Sequence, residues 1–478
     1  MTRINHNISS LQAMHSLIAN QNSLSVSLQR LSTGLKINSG KDDPAGLIAS
    51  ENLRGEIQSI NSAIDNSTRA NNVISTAEGA LNEVSALLVQ IRGLITTSSN
   101  TGALSDEERQ ANQLQVDSIL GSIDRISNTT QFNGKKLLDG SLQYTLSGVK
   151  TSALSEVRLY SARPPETGGL PIVVQVTASA QVAQLKFTGA GLPGASAASI
   201  RITGTRGSEV LSFAGSTHTS AIAVAINRFR DVLGVSATTS GTTGLYFNST
   251  EYGSNAFVTV ENIGSYQFQT QKIGGPLGIS TTANGVDASV MINGQMATVD
   301  GLVASVKNSS LDMEVILTSG LGTQKASTSF GVTGGGAVFQ LSPTVNRQGQ
   351  ASLGIYSVST GTLGNHEVGY LSSLGTGNVN SLVTADGVTA QRILDRAIMQ
   401  VSAERGRLGA FQKNTIEPNV NSLQIALENV TSSESAIRDT DFASETAAMT
   451  RAQILSSATT TVLKLANASP QNILALLQ

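Results

Sequence analysis

Apolar residues recur every seventh position at both ends of the chain. In the C-terminal stretch Ile416, Leu423, Val430 and Ile437 form one row, with Val420 and Leu427 in a second row offset by four. After an interruption at 439–442 the rows resume at Leu455 and Val462, flanked by Ala458 and Leu465. At the N-terminus Ile4, Leu11 and Ile18 make a row beside Ile8, and Leu17, Leu24 and Leu31 make another beside Leu28 and Leu35. This is the pattern of a coiled-coil seam. A single helix cannot bury such a stripe against itself, and an unpartnered helix is marginal in water because its first turn is costly to form. The two ends therefore need each other, or other chains.

Between them the period changes twice. Asp43-Pro44 predicts the start of a long helix, since a carboxylate can accept from the free amides and proline suits the first helical position. Its apolar row is Ile60, Ile74, Leu81, Leu88 and Ile95, interrupted on the same face by Ser67 and Asn71, which can fix register. Ser105 with Glu108 has capping-box spacing and opens another helix, and Asn133-Gly134 predicts a tight hairpin. From 141 to 384 the chain turns to Gly, Ser, Thr and Val with alternating polarity, as in the runs 172–177, 256–261 and 313–317. Short strands between Gly- and Asn-containing turns are expected there, with one helix at 220–233 and a break between two β domains near 274–279. Helical period returns at Val388. The fold class is α+β multidomain: discontinuous N- and C-terminal helical coiled-coil or bundle domains with β-rich domains inserted between them.

Charge and composition narrow the function. Residues 1–41 carry only Arg3, Arg30, Lys36 and Lys41, whereas Glu428, Glu434, Asp439, Asp441 and Glu445 dominate the opposing stretch, so the ends are complementary. The net charge of -2 gives no reason to expect nucleic acid. Absence of cysteine excludes disulfides and thiolate metal sites. No apolar run approaches the roughly 20 residues of a membrane span, and polar residues interrupt every apolar run after Arg3, so neither membrane insertion nor a cleaved secretory signal is expected.

Four motifs then bear a family resemblance. The run 29–47 (QRLSTGLKINSGKDDPAGL), the 130–140 hairpin (TQFNGKKLLDG), 404–412 (ERGRLGAFQ) and 435–443 (SAIRDTDFA) closely resemble bacterial flagellin, over residues 1–140 and 388–478. The resemblance implies a subunit of a helical homopolymer, the flagellar filament. Arms 1–42 plus 439–478 would line an inner tube, 43–140 plus 388–438 an outer tube, and β domains 141–275 and 276–387 would project outward. It implies extracellular localisation, export through the flagellar apparatus without a cleaved signal, an export chaperone at the C-terminal arm, and cap and hook-filament junction proteins as partners. The arms are expected to be poorly ordered in the lone chain and to order on assembly. Intersubunit packing is assigned to Ile4, Leu11, Leu17, Leu24, Leu28, Leu31, Ile437, Leu455, Val462 and Leu465, and contacts of an inter-tube loop to Lys41, Asp42 and Asp43.

Other readings are weaker. Flagellins seen by the flagellin-sensing Toll-like receptor resemble this chain at Arg92 and Leu94, but carry an arginine and a glutamate where it has Gln90 and Gln115. Arg405 and Arg407 are expected on a solvated face. His366-Glu367 begins a zinc-protease pattern that Tyr370 breaks, so no enzyme, metal or cofactor is expected. A hook-filament junction protein, or an adhesin or glycan-binding module in the middle of the chain, are the alternative functions.

Overall fold

The computed structural model describes residues 6–100, 102–163, 168–187, 189, 192, 197–240, 244–264, 268–273, 278–308, 310–366, 368–384 and 387–476, with side chains to 469. Ile4 and Glu367 lie outside them. Contacts divide the chain into two units, one of residues 1–71, 339–350 and 411–478, the other of 72–338 and 351–410.

The helices begin and end where capping chemistry directs. Helix α1 (Ile8–Thr33) starts with the Asn7 side chain accepting from the Ser10 amide and stops at Gly34, whose φ of 74° is left-handed. Helix α2 (Pro44–Ser98) opens with Asp43 Oδ1 accepting from Gly46 N at 2.9 Å. Helix α3 (Asp106–Thr129) carries the full capping box of Ser105 and Glu108. It leads into the Asn133-Gly134 turn, with φ of 49° and 79°. Both residues thus sit at the positive φ that a two-residue hairpin requires.

The α2 row Ile60, Ile74, Leu81, Leu88 and Ile95 is buried throughout. In the first unit, Ile60 and Ala63 form a core with Leu423, flanked by Ile64, Ala426, Leu427 and Val430. Ser67 is buried there, its Oγ donating to the Ala63 carbonyl and receiving Asn419 Nδ2 at 3.4 Å.

The β region departs from its expected division. One core joins residues from Tyr144 to Ala180 with residues from Ala288 to Val332. It lies among a five-stranded sheet ordered Gln295–Met296, Ser289–Ile292, Leu170–Ala178, Ser327–Gly335, Tyr144–Ser147 and a four-stranded sheet ordered Thr298–Asp300, Val303–Lys307, Leu311–Leu317, Leu154–Ala162. A second core, Ala183 to Ala283, is nested within the first module's sequence. Its helix is two pieces, α4 (Thr219–Arg228) and α5 (Arg230–Leu233), rather than one. A one-turn helix, α6 (Ser319–Gly322), follows in the first module. The expected break at 275–276 therefore separates neither core. The chain leaves the first module at 180 and re-enters it at 288, where Ser289–Ile292 pairs with Leu170–Ala178, so the second module is an insertion between two strands that are neighbours in one sheet.

The crossing point is crowded. Val286 N donates to the Gln181 carbonyl at 3.0 Å and Gln181 N to that of Val286 at 2.8 Å. A Cβ on Gly285 would stand 2.4 Å from Gly253 O and 2.6 Å from Gln181 O. Gly285→Ala is expected to loosen this crossing by about 1–3 kcal/mol, seen as faster proteolysis between 181 and 287 in the folded chain.

The triple glycine 334–336 makes a bulge, with register slipping between Val332 and Gly334 and φ of 89° and 81° at Gly335 and Gly336. The final helices are α7 (Gly387–Phe411), a π turn at Gln412–Ile416, α8 (Glu417–Arg438) and α9 (Phe442–Leu476).

Candidate assembly surface

In the first unit α1 and α9 form an antiparallel hairpin. Asn7 Nδ2 donates to Ala466 O at 2.8 Å, Asn20 meets Thr459 at 3.5 Å, and Arg30 pairs with Glu445 at 3.5 Å, so the partner number falls as the α1 number rises. Small side chains fill the seam: Ala13, Ser27 and Ala452 are buried, and Ser456, Thr459 and Ala466 half-buried. In the structure the two arms are paired helices. Small residues let the backbones approach closely, Asn7 and Gly34 cap α1, and Asp441 accepts from the first amides of α9.

This pairing consumes only part of the apolar surface. Leu17, Leu24 and Leu31 are half-buried, as is Ile437 on α8. The other rows face outward: Ile8, Leu11, Met14, Ile18 and Leu28 on α1, and Ile454, Leu455, Val462 and Leu465 on α9 are exposed, Leu11 at 54% and Leu465 at 72%. Contiguous exposed apolar rows of this kind mark an interaction surface.

Below the hairpin the chain is stitched by backbone. Lys36 N donates to Arg438 O at 2.7 Å and Thr440 N to Gly34 O at 2.9 Å, while the Arg438 side chain reaches Glu51 at 2.8 Å. The loop residues have distinct duties. Lys41 is exposed. Asp42 accepts from Asn38 N, Ser39 N and Ser39 Oγ at 2.9–3.1 Å, and these bonds, Ser39's backbone amide first, hold its carboxyl below the usual range. Asp43 caps α2. A group with a depressed folded pKa stabilises above its unfolded value and ceases to as pH falls through the folded one. Asp42→Asn is therefore expected to speed amide exchange at Asn38 and Ser39 near neutral pH, with the difference from wild type fading in strong acid.

In the second unit Gln90 and Gln115 are exposed and Leu94 is half-buried. Arg92, exposed in part, is ion-paired with Asp395. Arg405 likewise pairs with Glu78 at 2.8 Å. Arg407 is not on a solvated face. Its guanidinium lies 4.0 Å from the Tyr160 ring centroid, donates to Gly354 O at 2.8 Å and pairs with the buried Glu404. Beside them Arg158 pairs with Glu156, Arg396 stands 3.9 Å from Glu156, and Tyr160 meets Tyr356 edge-on at 6.0 Å. Burial pushes the Glu404 carboxyl up, against the nearby Arg407 charge. Burial also opposes the Arg158 charge, but Glu156, joined by Tyr160 and Glu314, raises the Arg158 pKa on balance. One signal was present in the sequence: Glu156, Arg158 and Tyr160 alternate along one strand face, matched by Glu404 and Arg407 one helical turn apart.

Family models described as the bacterial flagellin N-terminal helical region and C-terminal helical region match residues 4–143 and 392–477. Over 99% of both chains the protein is 34% identical to the B-type flagellin of Pseudomonas aeruginosa. The chain belongs to the bacterial flagellins. The flagellin of Clostridium tyrobutyricum is 30% identical over 98% of this chain and 100% of that one. Among solved structures, the match to flagellar hook associated protein-3 of Legionella pneumophila covers 81% of this chain and 96% of that one at 14% identity, with a TM-score of 0.28. As a flagellin the chain is a structural subunit of the extracellular flagellar filament, the organelle of swimming, and its helical termini flank a β-rich centre. Among the described residues no helix is long and apolar enough to cross a membrane.

Proposed function

We propose that the outward rows of α1 and α9 are the contacts between subunits, so that each chain contributes its hairpin, 1–42 plus 439–478, to an inner tube. The helices of 43–140 plus 388–438 form the next layer, with the β modules projecting. The reading rests on one observation: Leu11, Leu28, Leu455, Val462 and Leu465 remain exposed after the chain's own pairing is complete. Leu17, Leu24, Leu31 and Ile437 serve instead to hold the arms together, and Lys41 to Asp43 set the exit angle of α2. The same open α9 rows suit an export chaperone before assembly, and cap and junction proteins at the filament ends. Export proceeds through the flagellar apparatus. Gln90 and Gln115 supply no charge-assisted contact, so immune-receptor recognition through that face is weak, and no catalytic role is assigned. A chain ending at Thr461, which loses Val462 and Leu465, is expected to keep its β modules folded, by circular dichroism, yet sediment poorly as polymer. Filaments formed at wild-type concentration would overturn the assignment of α9.

A further inference from the structure

Buried positions from α7 through the π turn into α8 fall in two series with a step of seven, Leu394, Val401 and Leu408, and then Ile416 and Leu423. Val430 and Ile437 continue the second series. Between Leu408 and Ile416 the step is eight. One residue is extra, and in an unbroken α-helix it would rotate everything after it by about 100° off the buried stripe. The π turn at Gln412–Ile416 lies at that skip, and its i→i+5 bonding absorbs one additional residue: the Glu417 amide donates to the Gln412 carbonyl. Ile416 is 2% exposed as a result, while Thr415, the residue at the regular step, is half-buried.

The next residue is Pro418. A proline at this place has no N–H to donate to the Asn414 carbonyl, and its ring would collide with that carbonyl if the ladder were α-helical. We propose that Pro418 enforces the π turn, and that the turn sets the register in which α8 packs on α2. Two contacts depend on that register in the first unit. Leu423 joins Ile60 and Ala63 in their small core, and Asn419 Nδ2 donates to Leu341 O at 2.9 Å and to Ser67 Oγ. Helix α7 buries Ala390, Ile393, Leu394, Ala397, Val401 and Leu408, whereas α8 buries Leu423 alone. When the turn relaxes, α8 is therefore the side that yields, and Ser422 takes the place of Leu423.

The chain has no cysteine, so paired cysteines report register cleanly. In the full-length monomer, Ala63→Cys is combined with Leu423→Cys or with Ser422→Cys and treated with a short thiol cross-linker. In the otherwise wild-type chain the Leu423→Cys pair is expected to react at least tenfold faster. Pro418→Ala should reverse the preference, and deleting Thr415 in the Pro418→Ala background should restore it, because the step from Leu408 to the isoleucine is then seven. An unchanged preference in Pro418→Ala overturns the proposal. Should Pro418→Ala not fold, recovery of fold and cross-link by the Thr415 deletion supports it, and failure to recover overturns it. The readout is on the lone chain and does not depend on polymerisation.

Discussion

Leu465→Asp is expected to stop assembly while leaving the lone chain folded. Leu465 is 72% exposed and takes no part in the α1–α9 seam, so a carboxylate there costs the monomer little. In the polymer the same site must be buried. Losing a fully buried leucine forfeits about 1.5–3 kcal/mol, and placing an unpaired charge there adds to the deficit. Since about 1.4 kcal/mol is tenfold in an equilibrium constant, the concentration needed for polymer should rise by a factor of at least ~10. Pelleting of seeded filaments measures it directly, with circular dichroism confirming the monomer. Ala452→Asp is the useful contrast. Ala452 is buried within the hairpin, so that change should lower monomer helicity first. If Leu465→Asp polymerises normally, the outward rows are not the contact between subunits.

The second large effect is expected from Arg407→Ala. Glu404 is buried, and Arg407 supplies the charge facing it across one helical turn, while also stacking on Tyr160. Removing one partner of a buried pair typically costs 3–5 kcal/mol, because the other charge is left without compensation. The pH dependence has a definite sign. A carboxyl whose folded pKa is raised binds its proton more tightly in the native state, so the native state holds more protons than the unfolded chain. Stability from this group is then complete below the unfolded value and is lost as pH climbs towards the folded one. Arg407 opposes that rise. Without it the window widens upward, so the deficit of Arg407→Ala should be small in mild acid and grow towards neutrality. Urea unfolding followed by near-ultraviolet dichroism reports it, since the chain has no tryptophan and Tyr160 and Tyr356 flank the arginine. Adding Glu404→Gln should recover part of the loss near neutral pH. An Arg407→Ala chain equally stable at both pH values would show that the pair contributes nothing.

Much of the helical architecture was legible because its signals are local. Asp43, Ser105 and Glu108 cap by bonds spanning three residues, and the Asn133-Gly134 turn needs only its own two dihedrals. The buried α2 row likewise follows from the period of one helix. The β modules were legible as strands but not as modules. Alternation along 172–177 or 313–317 says that one face is buried, yet nothing in it states that 183–283 will form a core of its own between 180 and 288. The Arg407 cluster was missed for a related reason: a charged strand face and a charged helix face each look solvated until they meet.

The sequence by itself determined that the two ends carry heptad rows too long for one helix to bury, where the helices after Asp43 and Ser105 begin, and which family the four motifs resemble. Only the tertiary structure decided which rows the arms use on each other. The small-residue face of Ala13, Ser27 and Ala452 is taken, and the leucine rows through Leu11 and Leu465 are left open. The physical reason is that periodicity measures how much apolar surface a helix presents, whereas its choice of partner depends on how closely two backbones can approach. That distance is set by the side chains of both at once.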